Sequence, residues 1–137
     1  TMAMRLAPAL RLEGEVARGR AFNSAGDEDG DCWGKRAAWV AYEGPIGDRV
    51  VEVRLIDCPG NPRRPTWWHA RRYGLVAANP FGVHDFEGKP AGTGDLRVPE
   101  GEELRLNYLI WIRTRDADDP PFDAPDAPSK EQGSRMP

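Results

Sequence analysis

The chain has 137 residues, 39% hydrophobic and 30% charged, with a formal net charge of −3. That length holds one domain with a core but not two, and the mild acidity excludes a basic nucleic-acid footprint, which needs Lys and Arg gathered without compensating carboxylates. No apolar run approaches the roughly 18 residues a membrane-spanning helix needs, so no membrane partner is expected.

The opening TMAMRLAPALRLEGE is interrupted by Pro8 and closed by Arg11 and Glu13, a poor match to a secretory leader; localisation is left open. Loose alternation in LRLEGEVARGR supports one short strand. FNSAGDEDGD is a predicted loop, because Asn, Asp, Ser and Gly bond locally to backbone or tolerate positive φ. Its acidic run, Asp27 to Asp31, lacks the twelve-residue spacing and closing Glu of an EF-hand, so a solvated loop is expected there. A strand is predicted over 37–42, ending at Glu43-Gly44-Pro45, with the turn continuing through Gly47-Asp48. RVVEVRLID then alternates, with Val51, Val53 and Leu55 on one face and Glu52 and Arg54 on the other. The two runs form a predicted hairpin.

CPGNPRRP places three prolines within eight residues and can be neither strand nor helix interior, so a fixed, exposed loop is expected. A strand is predicted within 66–78, broken by Asn79-Pro80-Phe81-Gly82, and FEGKPAGTGD reads as loop. The strongest pattern is ELRLNYLIWIR, with Leu104, Leu106, Tyr108, Ile110 and Ile112 on one face and Arg105, Asn107, Leu109, Trp111 and Arg113 on the other. It predicts a central strand, covered on one side and partly covered on the other. Beyond Thr114 the Asp- and Pro-rich sequence has one aromatic and no period, and a disordered tail is expected. No helix of normal length and no repeat is evident. The elements predict an all-β chain, an antiparallel β-sandwich over residues 1–115 with room to be half of a larger one, followed by a tail over 116–137. Cys32 and Cys58 lack metal-like spacing, and free thiols are favoured over a disulfide.

Three stretches, WGKRAAWVAYEGPI, DCPGNPRRPTWWHARRYGLVAANPFG and GEELRLNYLIWI, keep the order and spacing of uncommon residues seen in a bacterial family labelled methane oxygenase PmoA. The chain resembles the C-terminal part of that family over about residues 22–114. Family members are about twice as long. The resemblance implies a soluble β-sandwich of uncharacterised function with a sugar-related role. It carries over no catalytic residue.

The segment WWHARRYGLVAANPFGVHDFEG, residues 67–88, holds both histidines, His69 and His84. Zinc or iron sites usually need three or more ligands. Here two histidines would have to recruit Asp85, Glu87 or Asp57, so no metal or cofactor is expected. Sugar hydrolysis or epimerisation would need convergent carboxylates or a histidine–carboxylate pair. The sequence does not show such convergence, and catalysis is left open. On a strand, Trp67, His69, Arg71 and Tyr73 share one face, and Trp68, Ala70, Arg72 and Gly74 the other. One tryptophan is therefore expected in the core and the other on a polar face. That face, with Asn79, His84 and Asp85, is the candidate site for a sugar or other small polar ligand, since aromatic rings stack on sugars and Arg offers fork-shaped donors. The alternative is a structural module that associates with a second copy through Leu109 and Trp111.

Overall fold

The alternation in RVVEVRLID sets the architecture. Val53 and Leu55 turn inward from β4 (Arg49–Asp57) and are buried in the core, while Glu52 and Arg54 lie on the opposite face of the same strand. β3 (Trp39–Ile46) pairs antiparallel with β4 from Trp39 opposite Ile56 to Ile46 opposite Arg49. β2 (Arg20–Asn23) lines the other side of β3, and β7 (Tyr108–Asp116) completes the sheet in the order β2-β3-β4-β7. A second antiparallel sheet holds β1 (Ala3–Arg5), β6 (Leu75–Asn79) and β5 (Trp67–Ala70) in the order β1-β6-β5. The one α-helix among the described residues is α1 (Val83–Glu87), and 3-10 turns occupy Pro8–Leu10 and Asp29–Cys32. The computed structural model describes residues 2–121.

The two sheets bury Val40, Tyr42, Val53 and Leu55 against Trp68, Ala70, Val76 and Ala78, which makes the all-β antiparallel sandwich the observed fold. Trp68 is the largest fully buried side chain, and its indole N–H donates to the Ala37 carbonyl at 2.8 Å. That bond matters because a buried indole N–H without a partner would forfeit much of what its ring gains by leaving water.

Several boundaries differ from those the sequence suggested. Glu43-Gly44-Pro45 is strand, not turn, and β3 reverses only at Gly47-Asp48. Pro45 is tolerated because β2 pairing stops at Arg20 opposite Glu43, so among the described residues no strand is paired with β3 on that side of Pro45. LRLEGEVARGR makes no strand up to Gly19; pairing starts at Arg20 and continues through Phe22 and Asn23, which had read as loop. The span 66–78 is a hairpin rather than one strand, turning at Arg71–Gly74, where the Gly74 N–H donates to the Arg71 carbonyl at 2.9 Å. Residues 102–107 are not strand, and among the described residues β7 lies at the edge of its sheet, not in its centre. Its Ile110 and Ile112 are 40% and 65% exposed, whereas Leu109 and Trp111 are half-buried, so the apolar face left open is the one opposite to that expected. The predicted tail from 116 begins inside β7, and from residue 122 it lies outside the described residues.

CPGNPRRP is fixed, as its prolines imply, but much of it is turned inward rather than exposed. Asn61 donates to Asp57 and to the Asn107 carbonyl, each at 2.6 Å, and accepts the Asn107 N–H at 2.7 Å. Arg63 donates to the carbonyls of Pro80, Gly94 and Asp95. Cys32 and Cys58 are both free; burial, followed by the acidic side chains around it, pushes the Cys32 thiol up to about 12.

Candidate ligand-binding site

Alternation along β5 sends Trp68 and Ala70 into the core and Trp67 and His69 to the outer face of the small sheet, the division expected of the two tryptophans. This face is not open. After the Asn79-Pro80-Phe81-Gly82 turn, α1 folds back over it and lays Phe86 on His69 (ring centroids 4.7 Å apart) and against Trp33 (5.3 Å). Two glycines make that slot. A Cβ on Gly82 would stand 2.3 Å from the Phe86 ring and one on Gly34 2.9 Å from it, and Gly34 also has a positive φ of 71°. Trp67 is only 4% exposed, with the Arg36 guanidinium stacked 4.4 Å from its ring centroid and its indole N–H donating to Glu87 at 3.1 Å.

The Phe81 N–H donates to the Asn79 side-chain oxygen at 3.1 Å, which turns the Asn79 amide nitrogen toward His69 Nε2 at 3.2 Å. Nε2 therefore accepts, and the ring is neutral with its proton on Nδ1. Burial, then the positive Arg71, holds the His69 pKa below its ordinary value, with Asp85 opposing weakly. His84 sits apart from this pair. It is exposed, and its Nδ1 bonds to the Lys89 carbonyl of the following loop. Among the described residues, no group of three or more His, Cys, Asp and Glu side chains is placed to hold a metal ion.

Beside this covered face lies an open cleft of about 360 Å³. It is lined by Trp33 at the end of the 3-10 turn Asp29–Cys32, by Arg71, Arg72 and Tyr73 of the β5–β6 turn, and by Glu13. The turn is anchored from below by the buried Tyr42, whose hydroxyl donates to the Arg71 carbonyl at 3.1 Å. The N-terminal segment is anchored beside it by the Leu12 N–H, which donates to the Arg72 carbonyl at 2.9 Å. Trp33 and Tyr73 are 39% and 42% exposed. The Arg71 guanidinium stacks 5.0 Å from the Trp33 ring, and Arg72 reaches Glu13 at 3.5 Å.

Of the residues the sequence singled out, Trp67, His69 and Asn79 come together beneath α1, with Asp85 on that helix. Arg71 and Tyr73 line the cleft, and Tyr73 is in the turn rather than on the strand face. His84 joins neither group. Sequence reasoning missed Glu13, Trp33 and Arg72. Glu13 and Trp33 come from segments distant in sequence, and Arg72 fell on the core face of a strand that is in fact a turn. A tryptophan placed directly after a Gly- and Asp-rich loop was the available signal.

The family model that matches residues 1–124 is that of a family of unknown function, DUF6807, and the chain belongs to that family. The expected membership of a methane oxygenase PmoA family is thereby overturned, since the matching family carries no such name. No curated protein and no solved structure matches the chain. No helix among the described residues is long and apolar enough to cross a membrane.

Proposed function

We propose that this domain binds a small polar ring, a sugar unit, in the cleft between Trp33 and the Arg71-Arg72-Tyr73 turn. One observation carries the reading: two large aromatic side chains stay exposed beside a concavity that Arg71, Arg72 and Glu13 also line, with Gly30 and Ala70. Exposed aromatics beside forked donors and an acceptor suit a ligand with an apolar ring face and polar edges. Of the residues expected on a polar face, Arg71 and Tyr73 line this cleft, while His69 lies against Phe86 beneath α1. The test is calorimetric titration with a panel of neutral and acidic oligosaccharides. Saturable binding that Trp33→Ala weakens at least about tenfold supports the reading, on the scale of a lost stacking contact plus its cover. Absence of saturation across the panel, or an unchanged affinity in Trp33→Ala, rejects it.

A second reading, self-association, rests on Ile110 and Ile112. They are exposed on β7, which among the described residues has a neighbour on one side only. Antiparallel pairing of two β7 strands about a two-fold axis would occupy the open edge and set the Ile110 and Ile112 side chains of the two copies beside one another. Sedimentation equilibrium of the wild type and Ile112→Lys separates the cases: a dimer abolished by the substitution supports it, and a monomer at all concentrations rejects it.

A further inference from the structure

We infer that the cleft selects a ring bearing a carboxylate, and that Glu13 holds the place of that carboxylate on Arg72 until the ligand arrives. The inference rests on the cleft being a sugar site and adds the class of sugar. Three guanidinium groups border the aromatic walls: Arg71 against Trp33, Arg5 at 5.6 Å from the Tyr73 ring centroid, and Arg72. Glu13 is the carboxylate that faces them within the cleft. The nearby acidic turn adds carboxylates outside the cleft lining, where Asp29 accepts the Ala21 N–H at 2.9 Å and Asp27 accepts from Asn23 at 2.8 Å.

The Arg72–Glu13 pair is long, at 3.5 Å, and the two side chains are 55% and 52% exposed. An ion pair of that kind is weak, because water competes for both partners. A ligand carboxylate held over Trp33 and Tyr73 would be partly desolvated by the ring it is attached to, and could take both forks of the guanidinium. Arg72 is half-exposed along its side chain, with its Nη1 lying beside Gly30. Arg71 is committed to the Trp33 face and acts as a fixed positive wall. Arg72 is therefore the exchanging partner.

The experiment is calorimetry with a galacturonate trisaccharide and with neutral galactotriose, at low and at physiological salt, on the full chain. Wild type is expected to bind the acidic sugar about tenfold more tightly, the scale of one charge-assisted hydrogen-bonded pair, with the preference shrinking as salt rises. Glu13→Gln raises the acidic-to-neutral ratio several-fold, and Arg72→Gln brings it close to one. Circular dichroism melts confirm that both half-exposed substitutions fold. Equal affinity for the two sugars, or a Glu13→Gln variant with an unchanged ratio, overturns the carboxylate selection while leaving a neutral-sugar cleft standing. Failure of both sugars to bind removes the cleft reading itself and this inference with it.

Discussion

The two sheets solve the same problem, an inner apolar face and an outer face to finish, in different ways. The four-stranded sheet finishes its outer face with its own side chains: Glu52 accepts a forked pair from Arg54 at 2.8 and 3.1 Å and a further bond from Arg113 at 2.9 Å. Trp39 lies 4.0 Å from the Arg54 guanidinium, and Glu43 pairs with Arg115 at 3.1 Å. Glu52 and Arg54 are 1% exposed although they sit on the face away from the core. The three-stranded sheet instead borrows its cover from loops: α1 and Phe86, Arg36 over Trp67, and the N-terminal segment beside the Arg71–Gly74 turn. A surface finished by borrowed segments leaves gaps where they meet, and the cleft is such a gap. Function is therefore expected on the loop-covered sheet and rigidity on the self-covered one.

The largest effect should come from the element that joins the two. Trp68→Ala removes the central buried ring and its bond to Ala37, and is expected to lower stability by about 4 kcal/mol in urea unfolding. A loss under 1 kcal/mol would mean that the sheets hold together without that ring and that the comparison is drawn in the wrong place.

Glu52→Gln tests the self-covered face. It leaves the Arg54 charge buried with its carboxylate gone, and should cost about 3 kcal/mol. Insensitivity would show that water reaches the ladder and that this face is not closed.

The same contrast explains what was legible in the sequence. β3 and β4 were readable because a half-buried strand leaves a period of two, and Val51, Val53 and Leu55 show it. The assignment of Glu52 and Arg54 to the opposite face was right in direction, but their burial was not visible, because it depends on Trp39 from β3 and Arg113 from β7. Trp68 inside and Trp67 outside followed from the same alternation, yet the cover over Trp67 comes from Arg36 and α1, which no local pattern connects to it. β7 was placed centrally because apolar residues on both faces resemble double burial. Its neighbours are set by the topology, and the open side of Ile110 and Ile112 is a property of the sheet's extent. The cleft was half legible: Arg71 and Tyr73 are local, whereas Glu13 and Trp33 arrive by tertiary contact.

Asn61→Ala probes the loops that carry the borrowed cover. It removes the bridge between Asp57 and the backbone of Asn107, and leaves a buried carboxylate whose pKa burial already raises. A loss of about 2 kcal/mol is expected, together with faster amide exchange in 58–66. Unchanged exchange there would show that the prolines alone fix the loop.

The smallest effect is a pH dependence on the loop-covered side. The folded-state pKa of His69 lies below its ordinary value of 6.5, so the unfolded chain binds the proton more readily. Stability from this group is fully present above pH 6.5 and is lost as pH falls from there through the lower folded-state value. The geometry gives the cause: protonated Nε2 would point its hydrogen at the Asn79 amide group, donor against donor, beneath Phe86. Urea midpoints of wild type should therefore drop more steeply between pH 7 and the region just below 6.5 than those of His69→Gln, which has no titrating ring. Parallel curves for the two proteins would mean that Asn79 turns its amide over at little expense. In that event α1 is a looser cover than the contact of Phe86 with His69 indicates, and the distinction between a closed face and an open cleft on this sheet narrows.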